Sequence, residues 1–189
     1  VDDFDMNISH IIRGDDHLTN TFRQYFIFRE LYKKLPEFAH IPLIHNENGK
    51  KLSKRDNVKS ILDLKGEGFI NKAILNYLLR LGWSYKNHEI ISLDQAIELF
   101  KINNIGKSPA RIDNKKISFL NSHYLKNLNK DEILDVLFSK IEYEKYKLKQ
   151  NNKEVINELI EIFIKRSKTI NQLFDSNKFI FRENYKITN

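Results

Sequence analysis

The stretch Phe38-Ala39-His40-Ile41-Pro42-Leu43-Ile44-His45-Asn46-Glu47-Asn48-Gly49-Lys50-Lys51-Leu52-Ser53-Lys54-Arg55 runs from an apolar segment through a turn into a cluster of cations. Residues 38–44 read as a strand, and Asn46-Glu47-Asn48-Gly49 is a run of turn formers. Four cations, Lys50, Lys51, Lys54 and Arg55, then surround Leu52 and Ser53. The cations therefore emerge from an anchored element. Lysine suits a polyphosphate because it is a compact, mobile point charge that can follow oxygens as negative charge moves in phosphoryl or nucleotidyl transfer. A solvated basic loop would carry the same spacing.

Upstream, residues 8–12 read as a short buried strand, and Gly14-Asp15-Asp16 as the turn and helix cap after it. Leu18, Phe22, Tyr25, Phe26 and Arg29 recur at helical spacing, and the helix ends near Lys33-Lys34, where cations suit a C-terminus. Pro36 closes the element. Strand, turn, helix and strand in this order form half of an α/β nucleotide-binding sheet, with functional loops at the carboxyl ends of the strands. The rest of that sheet has to come from elsewhere.

Downstream the pattern turns helical. Phe69, Ala73, Ile74, Tyr77, Leu78 and Leu81 form one apolar face that stops at Gly82. Ser92-Leu93-Asp94-Gln95 is a capping box, and Asp113 caps a segment through Leu120. Asn129 with Glu132 opens another helix through Ile133, Leu134, Leu137 and Phe138. The last clear amphipathic helix holds Val155, Ile156, Leu159, Ile160, Phe163 and Ile164, after a polar linker over residues 145–153.

At 189 residues with 41% hydrophobic content, the chain is long enough for one or two domains with a buried core. Its net charge of +7 and pI near 9.4 favour a polyanionic partner, although lysine-rich coding gives the same excess. The absence of cysteine excludes disulfides and thiolate metal sites. No segment has the apolar length of a membrane span, so a cytoplasmic protein without membrane partners is expected. Val1 is not followed by a targeting pattern, and the chain reads as beginning within a domain.

Taken together, these blocks resemble a specific family. Lys51-Leu52-Ser53-Lys54-Arg55 looks like the KMSKS loop of class I aminoacyl-tRNA synthetases, in the variant of the glutamyl-tRNA synthetases. The blocks Val1-Asp2-Asp3-Phe4-Asp5-Met6, Ile11-Ile12-Arg13-Gly14-Asp15-Asp16-His17-Leu18 and Thr21-Phe22-Arg23-Gln24 are similar to the bacterial pattern that precedes this loop. So are Phe38 to Leu43 and Ala73-Ile74-Leu75-Asn76-Tyr77-Leu78-Leu79-Arg80-Leu81-Gly82-Trp83, in the same order.

The resemblance implies a Rossmann-like class I remnant over residues 1–58, a helical stem-contact connector over 59–128, and the start of a helical anticodon-binding domain over 129–189. It also implies that the first half of the catalytic fold, with its His-Ile-Gly-His type motif, lies outside this chain. The implied reaction is ATP-dependent activation of L-glutamate to glutamyl-adenylate, then transfer to the 3′ end of tRNA(Glu), either alone or with tRNA(Gln) as a second acceptor, which the sequence leaves open. Lys54 and Lys51 would stabilise the triphosphate, with Ser53 as a donor, and Mg2+ would arrive with ATP without an all-protein metal site. Asp16 and His17 match positions near the adenosine, whereas alone they read as a helix cap and first turn. Arg13 falls where the family reads the glutamate carboxylate; by itself it would pair with Asp15 or Asp16. Arg166 aligns with an anticodon-contacting arginine, but a charged helix end looks alike. Leu43 and Ile44 could line an adenine pocket, and Trp83 and Tyr85 could stack on bases or belong to a core. The competing reading is a truncated, non-catalytic tRNA-binding module.

Overall fold

The computed structural model describes residues 2–31, 35–52, 59–143 and 150–181. In chain order these form α1 (Asp2–Asp5), β1 (His10–Gly14), a 3₁₀ turn (Asp15–His17), α2 (Leu18–Leu31), β2 (Glu37–Ile41) and β3 (Ile44–His45). Then come α3 (Ile61–Gly66), α4 (Asn71–Gly82), α5 (Leu93–Leu99), a second 3₁₀ turn (Ile102–Asn104) and β4 (Ala110–Arg111). Four helices follow: α6 (Asn114–Lys126), α7 (Lys130–Tyr143), α8 (Gln150–Ile164) and α9 (Ile170–Phe181). The chain divides into two compact units, residues 1–58 with 78–112 and residues 59–77 with 113–189. The second boundary along the chain falls inside α4, after Tyr77.

In the first unit β1 and β2 pair in parallel, with α2 in the connection between them. Parallel strands need such a crossover, and a helix supplies it. Pro42 ends β2 because it has no N–H to give to a ladder, so the apolar segment expected as one strand is two, and β3 pairs in parallel with β4.

Three expectations for this region change. The first strand starts at His10, two residues late, and is not buried: Ile12 is 43% exposed, since among the described residues the strand has a neighbour on one side only. The turn after it is a 3₁₀ turn whose N-cap position is Gly14, with no side-chain cap, so Asp15 and Asp16 do not cap a helix. On α2 the face made by Leu18, Phe22 and Phe26 is exposed and Phe28 is the buried residue. The expected end of that helix at Lys33-Lys34 lies outside the described residues.

A small core in the same unit holds Trp83, Ile91 and Ala96, with Leu79, Leu99 and Ile105 against them. Trp83 is 3% exposed and stacks on Tyr85 and Phe100 at 6.3 and 5.9 Å between ring centroids. Its rings are used inside the protein, which removes Trp83 as a stacking face for bases. Both halves of the Ser92/Gln95 capping box are formed.

The second unit is helical. Leu125, Ile133, Leu137, Ile141, Ile156, Ile160, Ile164, Ile170, Leu173 and Phe174 make one apolar core. Apart from Leu125 on α6, they recur every three to four residues on α7, α8 and α9, the spacing that puts side chains on one helix face. Asp113 caps α6 through the N–H groups of Lys115 and Lys116, and Asn129 and Glu132 satisfy each other's backbone N–H ahead of α7. Ser60 and Asp63 form a further capping box at α3. The Ser60 hydroxyl, then its backbone N–H, hold the Asp63 carboxyl below its ordinary pKa. α9 was not expected, because buried Asn177 interrupts its apolar stripe; Thr169 and Gln172 at its start carry the cap signal. The linker expected over residues 145–153 is helix from Gln150, and 145–149 lie outside the described residues.

Asn121, 0% exposed, ties distant parts of this unit together. It accepts from the Ile70 N–H at 2.8 Å and donates to the Lys168 carbonyl at 2.5 Å. Removing a buried partner leaves backbone groups unsatisfied. Asn121→Ala should therefore lower unfolding free energy by roughly 2–4 kcal/mol, measured by urea denaturation; a loss under about 0.5 kcal/mol would show that water replaces the amide.

Candidate active site

Two loops leave the carboxyl ends of β strands in the first unit, where an open α/β sheet binds its ligands. One follows β1 and carries Arg13, Gly14, Asp15, Asp16 and His17. The other follows β3 and carries the lysine cluster. A cleft of about 490 Å³ lies at the ends of β1 and β2, lined among others by Asp15, His40, Pro42, Asn103 and Lys107.

Register brings the first group together. Arg13 on β1 lies opposite His40 on β2. Thr21 and Gln24, three residues apart on α2, face the same way along the helix. Arg13 Nη2 donates to Thr21 Oγ1 at 2.5 Å and to Gln24 Oε1 at 2.7 Å, and Thr21 Oγ1 lies 2.8 Å from His40 Nε2. The guanidinium has only donors, so the Thr21 oxygen accepts from it; the single hydroxyl proton then serves His40 or the His17 carbonyl, 3.3 Å away. Arg13 Nε is buried with no acceptor. Among the described residues Arg13 makes no ion pair, so the pairing with Asp15 or Asp16 that the bare sequence favours does not form.

Among the described residues the half-buried guanidinium contacts only neutral groups. Leaving a charge out of water without a counter-ion is costly, and the arrangement is suited to an incoming anion. A symmetric two-pronged fork is only partly open, because Thr21 and Gln24 use both Nη2 protons. Nη1, unlike buried Nε, keeps its unused protons out of the protein interior.

Asp16 and His17 are exposed in the 3₁₀ turn. Asp16 Oδ1 sits 2.5 Å from where a Cβ on Gly14 would be, so Gly14 makes room for it. His17 Nδ1 lies 3.4 Å from Asn20 Nδ2.

The second loop starts from a tight turn. Asn46 Oδ1 accepts from the N–H groups of Asn48 and Lys50 at 3.1 and 3.0 Å, while Asn46 N–H donates to the Lys50 carbonyl at 2.8 Å. Gly49 has φ +77°, a left-handed conformation that glycine adopts without steric cost. A Cβ there would also meet Arg111 Nη2 at 3.3 Å. The turn folds the chain back so that Lys51 bridges His45 antiparallel and Leu52 N–H donates to the Ile44 carbonyl at 3.0 Å. Lys51 is exposed beside this ladder. Ser53, Lys54 and Arg55 lie outside the described residues, so Leu52 is the last described residue of the loop and Lys51 its last described cation. Leu43 and Ile44 are half-buried.

Arg166 is exposed in the turn between α8 and α9, in the second unit. Its N–H donates to the Phe163 carbonyl at 3.1 Å, and its side chain makes no ion pair among the described residues. The residues missed from the sequence are Thr21, Gln24 and His40. The signal was a pair of polar residues, Thr21 and Gln24, at positions i and i+3 of one helix.

The family model "tRNA synthetases class I (E and Q), catalytic domain" matches residues 1–119. The glutamate–tRNA ligase of Pelagibacter ubique is 45% identical over 186 residues, 98% of this chain and 40% of that protein. Glutamate–tRNA ligase 2 of Ehrlichia chaffeensis is 60% identical over 134 residues, 71% of this chain and 28% of that protein. The chain thus spans well under half the length of these relatives. A crystal structure of a glutamate tRNA ligase from Elizabethkingia meningosepticum, in complex with its amino acid, superposes with a TM-score of 0.81 at 27% identity. That match covers 98% of this chain and 41% of the other.

The turn ahead of the lysines yields a test that needs only this chain. Asn46→Ala removes both side-chain bonds that brace it, so trypsin should cut within residues 50–55 several-fold faster than in the parent, with the helical circular dichroism unchanged. Equal cutting rates would mean that Asn46 does not hold the loop.

Proposed function

Because the chain belongs to the class I tRNA synthetase (E and Q) catalytic-domain family, we propose that it is part of a glutamate–tRNA ligase acting on L-glutamate, ATP and tRNA. The observation that carries the glutamate reading is Arg13, a half-buried cation held by neutral acceptors. A substrate carboxylate would supply the missing charge, whereas the amide of glutamine would not.

The reaction has two steps. The α-carboxylate oxygen of glutamate attacks the α-phosphorus of magnesium-bound ATP, a new P–O bond forms, and pyrophosphate leaves. The terminal ribose hydroxyl of tRNA(Glu) then attacks the activated carbonyl, and AMP leaves. Negative charge grows on phosphate oxygens in the first step, where Lys51 and Lys54 would act, with Ser53 donating a hydroxyl. Asp16 and His17 would lie near the adenosine, and Arg13 would fix the glutamate side chain. Acylation of tRNA(Gln) by the same chemistry depends on RNA contacts made elsewhere.

Residues 1–58 would then be the second half of the catalytic domain, 59–128 the stem-contact connector and 129–189 the start of the anticodon-binding domain, with Arg166 as an RNA contact. The chain's net charge of +7 supports a polyanionic partner. Among the described residues no helix is long and apolar enough to cross a membrane, and tRNA charging fits a cytoplasmic site.

In the full reading frame that contains these residues, Lys51→Ala should slow glutamyl-adenylate formation roughly 100-fold with little change in tRNA affinity. Arg13→Ala should raise the glutamate KM roughly 10- to 100-fold. Labelled-glutamate attachment and filter binding of tRNA measure the two effects. A chain that binds tRNA in a strongly salt-dependent way but never charges it would favour the non-catalytic module.

A further inference from the structure

We propose that Thr21 and Gln24 are positioning residues that hold Arg13 through neutral acceptors, leaving its charge for the substrate carboxylate and so making the site select an acid over an amide. The inference rests on the reading of Arg13 as the carboxylate-binding residue and extends it to the helix behind it.

An arginine on a strand can be oriented by an acidic residue or by a neutral one, and the two choices have opposite consequences. An aspartate or glutamate would grip the fork and cancel its charge, after which an arriving carboxylate would find a neutral and partly repulsive site. A hydroxyl and an amide oxygen fix direction without cancelling charge. Here the two Nη2 protons go to Thr21 Oγ1 and Gln24 Oε1, at 2.5 and 2.7 Å. The next residue in the network, His40, reaches Thr21 through Nε2 at 2.8 Å and is never an anion.

The nearest acids in sequence do not undo this arrangement. Asp15 and Asp16 are exposed and make no ion pair with Arg13 among the described residues. Asp16 Oδ1 occupies the space over Gly14 that any other residue would fill with a Cβ. Rotation of the guanidinium is also restricted, because both bonds on Nη2 come from one helix turn of α2 while Arg13 itself is anchored in the β1–β2 ladder. Nη1 is thereby presented in one orientation, and an acid in the substrate provides the counter-charge that the described residues around Arg13 do not.

The sharpest test is Gln24→Glu, which changes shape by almost nothing and gives Arg13 an internal counter-ion. In the full reading frame, measured by tRNA charging, the glutamate KM should rise at least about 30-fold while the ATP KM stays unchanged. The preference for glutamate over glutamine in kcat/KM should fall with it, and the thermal midpoint should stay the same or rise. Thr21→Val should also raise the glutamate KM with a smaller effect on kcat, and Thr21→Ser, which keeps the hydroxyl, should restore it. If Arg13→Gln raises the glutamate KM but Gln24→Glu and Thr21→Val leave it unchanged, the positioning role is wrong and the carboxylate reading of Arg13 survives. If Arg13→Gln also has no effect, that reading falls and this inference with it.

Discussion

The parallel register of β1 on β2 is the constraint on which the candidate site depends. Five consecutive pairs, from His10 with Glu37 to Gly14 with Ile41, fix Arg13 opposite His40. A slip of one strand by one residue would put Arg13 and His40 on opposite faces of the sheet, because side chains alternate along a strand. Thr21 can touch both only in the observed register, and α2 can present Thr21 only because it is the crossover that joins these two strands. Local sequence, strand pairing and site geometry are therefore one problem with one solution.

Charge placement follows from that geometry. The chain is lysine-rich throughout, yet the two groups of interest in the first unit differ in kind. Lys51 is exposed on a loop whose turn is braced by Asn46 and Gly49. Arg13 is half-buried and restrained by Thr21 and Gln24. A mobile point charge suits a group that moves during reaction, and a restrained planar cation suits one that must be read and held still. The helical unit follows different physics, with an apolar core on α7, α8 and α9 and fully buried Asn121 joining segments far apart in sequence.

Helix signals were the most legible part of the sequence, because caps and apolar spacing act over a few residues. The Ser92/Gln95 and Asn129/Glu132 boxes and the Asp113 cap are all formed. Buried polar residues hid the rest: Asn177 masked α9, and Asn121 gave no local sign of its role. Exposure was misjudged on β1 and α2, since the apolarity of Ile12 and Phe22 says nothing about which neighbours cover them. The candidate residues Arg13 and Lys51 were singled out by resemblance to the family motifs. Their supports Thr21, Gln24 and His40 were not, because a contact between a strand and its crossover helix depends on register, and no short window of sequence contains it.

The central claim is that Arg13 binds the side-chain carboxylate of glutamate. A crystal structure of the full reading frame with glutamate bound measures this directly. A carboxylate oxygen should lie within hydrogen-bond distance of Arg13 Nη1, with the Thr21 and Gln24 contacts to Nη2 retained. A glutamate side chain held by other residues, with no contact to Arg13, would contradict it.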